Sequence, residues 1–161
     1  MIRIAQAKDA AAITAIYNEA ILKTTAIYKN DPVTVADRRA WIARQAQEGW
    51  PLFVYEIDET VVGYATYGSF RAYPGYRQTI EHSIYVNPTS AGRGIATALM
   101  QHLIAIAKQE GYHVMLAGID SENSASIHLH KKLGFTFSGR MKEVGFKFDR
   151  WLDVDFYQMV L

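Results

Sequence analysis

Hydrophobic positions along this chain fall into two rhythms, one of period two and one of helical period, and their order outlines the fold. "IRIA" near the N-terminus reads as a short strand. Ile13, Ile16, Tyr17, Ala20 and Ile21 then recur at helical spacing, with Asp9 as the expected cap. Thr34 and Asp37 stand in capping-box spacing after Pro32 and open a second helix towards Gln47, which Gly49 and Pro51 end. "LFVYEI" and "VVGYATYG" flank the short turn Asp58-Glu59 and predict a hairpin. In "QTIEHSIYV" the alternation puts Thr79, Glu81, Ser83 and Tyr85 on one face of a strand, and Ile80, His82, Ile84 and Val86 on the other.

"SAGRGIATALM" leads into a helix whose stripe is Ile95, Leu99, Leu103 and Ile106, stopped near Gly111. "HVMLAGI" is a strand, residues 123–133 form a helix closed by Gly134, and "FTFSGRM" and "DVDFYQMVL" are strands around the less regular "KEVGFKFDRWL". Helices interspersed with strands predict a single α/β (α+β) domain over residues 1–161, with a mixed, mostly antiparallel central sheet flanked by helices. The hairpin argues against a fully parallel, doubly wound sheet. No repeat, linker or low-complexity tract marks a second domain.

Composition narrows the function classes. Seventeen basic and sixteen acidic residues nearly cancel, so nucleic acid is not an expected partner. The absence of cysteine removes disulfides, thiolate metal sites and a cysteine nucleophile. The five histidines lack ligand spacing with carboxylates, so no metal is expected. With neither a signal-like N-terminus nor a membrane-length apolar run, the expected location is cytoplasmic and no membrane partner is expected.

The chemistry concentrates at the glycine pair. A strand, a glycine-containing loop and a helix together aim free backbone N–H groups and a positive helix end at an anion. Gly92-Arg93-Gly94-Ile95-Ala96-Thr97 lacks the third glycine of the dinucleotide fingerprint, and no P-loop occurs. On spacing alone, a phosphate seat and a plain helix-capping loop both remain open.

"SIYVNPTSAGRGIATALMQHLI" resembles the cofactor segment of the GNAT N-acetyltransferase superfamily, in which a Q/R-x-x-G-x-G/A loop joins strand to helix; here Ala91 replaces the usual Gln or Arg. "NSASIHLHKKLGF" is similar to that family's later helix, with Asn123, Leu129, Gly134 and Phe135 matching and His130 at a position often held by tyrosine. "IYNEAI", "GYATYGSFR", "TIEHSIYV" and "VGFKFDRWLD" look like the branch that includes phosphinothricin and methionine sulfoximine acetyltransferases. The likeness covers nearly the whole chain in order.

The resemblance implies acetyl transfer from acetyl-CoA to the primary amine of a small amino-acid-like substrate, by a homodimer. It implies cofactor contacts at Tyr85, Val86, Asn87, Arg93, Gly94, Ile95, Ala96, Thr97, Ala98 and Asn123. Glu81 would be the base or amine-binding carboxylate, against a plain reading as a solvated or ion-paired strand residue. His130 would protonate the leaving thiolate, or else contact cofactor or pack in the helix. Substrate selection falls on Arg71, Ala72, Tyr73, Pro74 and Arg77, with His82, Ser83 and Ile84; the plain reading of "GSFRAYPGYR" is a surface loop, and that of His82 a core histidine. Lys147, Arg150 and Trp151 would complete the pocket or a dimer contact. Two other functions compete: acetylation of a peptide N-terminus or of another small amine, and a non-catalytic acyl-CoA-binding sensory domain.

Overall fold

The computed structural model describes residues 1–161. In chain order the elements are β1 (Ile2–Ile4), α1 (Ala10–Lys23), α2 (Val35–Glu48), β2 (Leu52–Ile57), β3 (Thr60–Ser69), β4 (Thr79–Val86), α3 (Ile95–Gln109), β5 (Val114–Asp120), α4 (Ser124–Lys132), β6 (Thr136–Lys147) and β7 (Arg150–Val160). The strands form one seven-stranded sheet in the order β1-β2-β3-β4-β5-β7-β6. Every pairing is antiparallel except β4 with β5. No helix is long and apolar enough to cross a membrane.

Two apolar layers sandwich the sheet. Ile13 and Ile16 of α1 and Ile42 of α2 pack with Val54, Val61 and Tyr64 on one face. Leu99, Met100, Leu103 and Ala107 of α3 pack with Ala65, Ile80, Met115 and Ala117 on the other. Full burial of a side chain such as Leu99 or Leu103 stabilises the fold by about 1.5–3 kcal/mol. Val61 with Tyr64, and Val62 with Ala65, reach opposite layers despite odd spacing because β3 carries a bulge where Tyr55 pairs Gly63 and Glu56 pairs Val61. In β4 the alternation holds: Ile80 and His82 are buried towards α3, and Tyr85 lies against the α1/α2 layer.

Local signals work unevenly. Thr34 and Asp37 form the expected capping box, with Asp37 N–H donating to Thr34 Oγ1 at 3.1 Å and Thr34 N–H to Asp37 Oδ2 at 3.0 Å. Asp9 does not cap α1. Its buried carboxylate accepts from the Gln6 N–H and from both terminal nitrogens of Arg3, at 2.7, 2.8 and 2.9 Å. The Arg3 guanidinium therefore holds Asp9 below the usual carboxylate range. The segment expected to be irregular is instead a long hairpin. It turns at Phe148-Asp149, both in the left-handed region at φ 52° and 56°, and shifts register between Met141 and Gly145.

Candidate functional site

β4 and β5 pair in parallel from Thr79 opposite Val114 to Glu81 opposite Leu116, and then part, although β4 runs on to Val86 and β5 to Asp120. The parting opens a cleft of about 750 Å³ lined by the ends of both strands, the start of α3 and one face of α4. That volume lies in the range of small-molecule and cofactor sites. Asn87 N–H donates to Val62 O at 2.8 Å, and Phe70 N–H donates to Thr79 O at 3.3 Å. The odd-numbered residues of β4 therefore turn their backbone groups to β3, and the even-numbered Ile84 and Val86 turn theirs to the gap. Of the expected contacts Tyr85, Val86 and Asn87, only Val86 turns its N–H to the gap; Tyr85 and Asn87 have theirs on the β3 side, and Ile84 joins Val86 at the edge.

At the mouth of the cleft the chain turns through Gly92 and Gly94, each at φ 76°, before α3 begins. Left-handed backbone is costly for any residue with a Cβ, which is why glycine stands at both places. No side chain caps α3. The N–H groups of Ile95, Ala96 and Thr97 have no intrahelical acceptor, and all three residues line the cleft with Gly94. Ala98 does not belong to this set, because its N–H already donates to Gly94 O at 3.0 Å. Arg93 is exposed and does not line the cleft. Across the cleft, Asn123 Oδ1 accepts from Ser126 N–H at 3.1 Å and caps α4, leaving its amide hydrogens available. His128 and Lys132, one turn apart on α4, also face the cleft. Sequence reasoning missed them, although their i, i+4 spacing on a cofactor helix was a signal. Free donors at a positive helix end suit a pyrophosphate, and two unpaired strand edges suit the amides of a pantetheine arm. The residues present fit acetyl-CoA.

Glu81 sits at the last paired rung, beside the cleft-lining His82 and Gly118 but not itself among the residues that line the cleft. A Cβ on Gly118 would come within 3.4 Å of its Oε1, so the glycine leaves room for the carboxyl group. Burial raises the Glu81 pKa, with no cation or hydrogen bond to counter it. On the opposite face of β4, His82 and His130 stack at 5.0 Å between ring centroids with Nε2 to Nε2 at 2.9 Å. His130 Nδ1 lies 2.7 Å from Ser126 O, which can only accept, so this nitrogen carries a proton. In the neutral pair His82 Nε2–H then donates to His130 Nε2, and His82 Nδ1 is a buried acceptor without a partner. Burial and the neighbouring ring push His82 down to about 3, and burial lowers His130 as well. Both nitrogens of His130 are thus engaged, and His82 stays in the core layer while its edge lines the cleft.

The loop after β3 is placed differently from the strand residues. His82, Ser83 and Ile84 line the cleft, but Arg71, Ala72, Tyr73, Pro74 and Arg77 do not, and all five are exposed. The Arg71 guanidinium lies 5.1 Å over the Phe70 ring. Gln78 ends the loop, its carbonyl accepting from His113 and Val114. Among the C-terminal residues, Arg150 pairs with Glu122 at 2.5 Å, Trp151 is exposed beside Phe146, and Lys147 is buried away from the cleft.

The chain matches the family model described as acetyltransferase (GNAT) domain over residues 2–155. It is 47% identical to an L-methionine sulfoximine/L-methionine sulfone acetyltransferase of Salmonella typhimurium, over 99% of this chain and 94% of that one. Among solved structures, a phosphinothricin acetyltransferase of Sinorhizobium meliloti in complex with acetyl-CoA superposes with a TM-score of 0.96 at 37% identity, covering 100% of this chain and 88% of the other. A ribosomal-protein-alanine N-acetyltransferase of Brucella melitensis superposes with a TM-score of 0.98 at 42% identity, covering 100% and 99%. With the parted strands and the glycine-entered helix, these likenesses make the chain a member of the GNAT acetyltransferase family.

Proposed function

We propose that this protein transfers acetyl from acetyl-CoA to the primary amine of a small amino-acid-like acceptor of the methionine sulfoximine, methionine sulfone or phosphinothricin type. The observation that carries this reading is the Glu81 carboxyl group, partnerless and desolvated, at the rung where β4 and β5 part. The Salmonella relative supports the acceptor class. Acetyl-CoA supplies an activated thioester carbonyl.

Gly94, Ile95, Ala96 and Thr97 would hold the pyrophosphate through backbone N–H groups, and Asn123 would add an amide contact. The backbone of Ile84 and Val86 would hold the pantetheine arm and place one N–H at the carbonyl oxygen, a type of contact worth about 2.7–4 kcal/mol in transition-state stabilisation. Glu81 would accept the amine proton, directly or through water, and its raised pKa narrows the gap to an ammonium. His130 can donate to the departing sulfur only after its Nδ1–H leaves Ser126 O; with its bonds as they stand, it serves to hold His82 at the cleft wall. Arg71, Ala72, Tyr73, Pro74 and Arg77 would meet the acceptor only where that loop closes on it or packs in an assembly.

We further propose a cytoplasmic homodimer joined through the β6/β7 hairpin, whose Phe146, Phe148 and Trp151 stand 53%, 53% and 63% exposed. Sedimentation should give a dimer for the wild type and a monomer for Trp151→Glu; a monomeric wild type would remove the assembly. For the reaction, purified protein is incubated with acetyl-CoA and an amine series, and free thiol is followed. Release with methionine sulfoximine, methionine sulfone or phosphinothricin is expected. Release only with an alanine-terminated peptide would favour the Brucella relative's acceptor, and no release with CoA still bound would favour a sensory domain.

A further inference from the structure

The Lys147 side chain at the end of β6 is 3% exposed and meets no carboxylate. Its Nζ instead donates to three main-chain carbonyls, Ile21 O at 2.5 Å, Ile27 O at 2.6 Å and Thr24 O at 2.7 Å. An ammonium has three hydrogens, and all three are used. Ile21 and Thr24 belong to the C-terminal end of α1, where unpaired carbonyls and the negative pole of the helix favour a cation.

A second tie reaches the same segment from the sheet. Thr25 Oγ1 donates to Asp120 Oδ2, while Asp120 Oδ1 accepts from Glu122 N–H at 3.1 Å. A third is steric: any side chain at Gly145 would collide with the ring of Tyr28. Between these ties Ala26 lines the cleft.

The face of the sheet decides which end of the cleft this wall serves. Met115, Ala117 and Ile119 of β5 belong to the α3 layer, so Gly118 and Asp120 point to the α1 side with Glu81. Asp120 lies two residues, about 6.5 Å, beyond Gly118 along the strand. The tied segment therefore stands over the Glu81 side of the cleft, while the glycine turn that enters α3 lies across it.

We propose that Lys147 is a positioning residue for the acceptor amine: with Asp120 it fixes residues 24–27 as the wall that sets acceptor fit beside Glu81. This rests on the acetyltransferase reading above. Loss of the ammonium frees three carbonyls and lets the segment drift, which weakens acceptor binding and leaves the cofactor end intact.

The test compares wild type, Lys147→Met and Thr25→Val with a preferred acceptor from the amine series. Lys147→Met should raise KM for the amine at least about tenfold, with kcat changed much less and acetyl-CoA affinity unchanged. Thr25→Val should shift KM the same way, to a smaller extent. Hydrogen exchange should quicken in residues 22–28 and not in α3. Because the chain has no cysteine, Lys147→Cys can be alkylated with bromoethylamine while unfolded and then refolded, which restores a lysine-like ammonium and should restore KM. If Lys147→Met does not fold, Thr25→Val alone decides, with unchanged KM and exchange overturning the proposal. An equal fall of kcat and cofactor affinity, or an unchanged amine KM in a folded Lys147→Met, also overturns it. A wild type that acetylates no amine would instead remove the functional reading, while the exchange measurement still reports on the tie.

Discussion

At the scale of single residues, Glu81 at the rung where β4 and β5 part and His82 in the cleft wall both owe their state to burial. Glu81 has its pKa raised by desolvation alone, so its basic form arrives at higher pH than for an ordinary carboxylate. The kcat/KM profile should rise with pH through an acidic limb lying above the usual glutamate value. Glu81→Gln should abolish that limb and lower kcat about 100-fold or more, with acetyl-CoA binding retained. His82 carries the opposite consequence. Its folded pKa, near 3, lies below the ordinary 6.5, so the unfolded chain binds more protons between these values. Stability supplied by the neutral pair is whole above pH 6.5 and falls as pH drops towards 3. His82→Gln keeps a donor for His130 and should flatten this fall, read as urea midpoints at pH 7, 5.5 and 4.5. The β4 alternation put His82 on the face opposite Glu81 while the expectation assigned it to the acceptor pocket, and it is both buried and in the cleft wall; its partner was not legible, since 48 residues separate the two rings.

At the scale of elements, what could be read depended on whether a signal was local. Thr34 and Asp37 lie three residues apart and satisfy each other within one turn, so the cap on α2 was visible in the sequence. Thr34→Ala should cost about 1 kcal/mol in denaturant unfolding. Asp9 has the same residue type before a helix, but Arg3 from β1 captures its carboxylate, a tertiary choice that spacing does not reveal. The turn at Phe148-Asp149 has no glycine or asparagine to announce it, which hid the β6/β7 hairpin. Gly94 was legible as special, and the structure gives the reason as backbone strain instead of crowding, since nothing lies within 4 Å of a Cβ placed there. Gly94→Val should weaken CoA binding by about tenfold, consistent with roughly 1–2 kcal/mol of left-handed strain. Calorimetric titration checks this, and Ala91→Gln should change affinity far less.

At the scale of the molecule, periodicity gave the strands and their inward faces but not their partners. The parting of β4 and β5 depends on where pairing stops, at Glu81 and Leu116, and no residue in either strand marks that rung. The family resemblance implied only that cofactor contacts lie near Tyr85, Val86 and Asn87, at the end of β4. The glycine turn before α3 was readable as a special backbone site because a helix N-terminus built on glycines is a local device, although spacing alone left a phosphate seat and a capping loop both open. The proposed acceptor wall was not readable, because its parts are far apart in sequence: the segment around Ala26 after α1, Asp120 at the end of β5 and Lys147 at the end of β6 come together only in the folded chain. The loop carrying Arg71 and Arg77 shows the reverse, with suggestive composition but an exposed position away from the cleft.

The proposed role of a desolvated Glu81 at the parted strands is to drive acetyl transfer to a small amino-acid amine. Its most direct measurement is thiol release from acetyl-CoA with methionine sulfoximine, run on wild type and on Glu81→Gln, with CoA affinity determined for both. The wild type should release thiol only with acceptor present, and the variant should lose nearly all release at unchanged affinity. Equal release by both proteins across pH would contradict it.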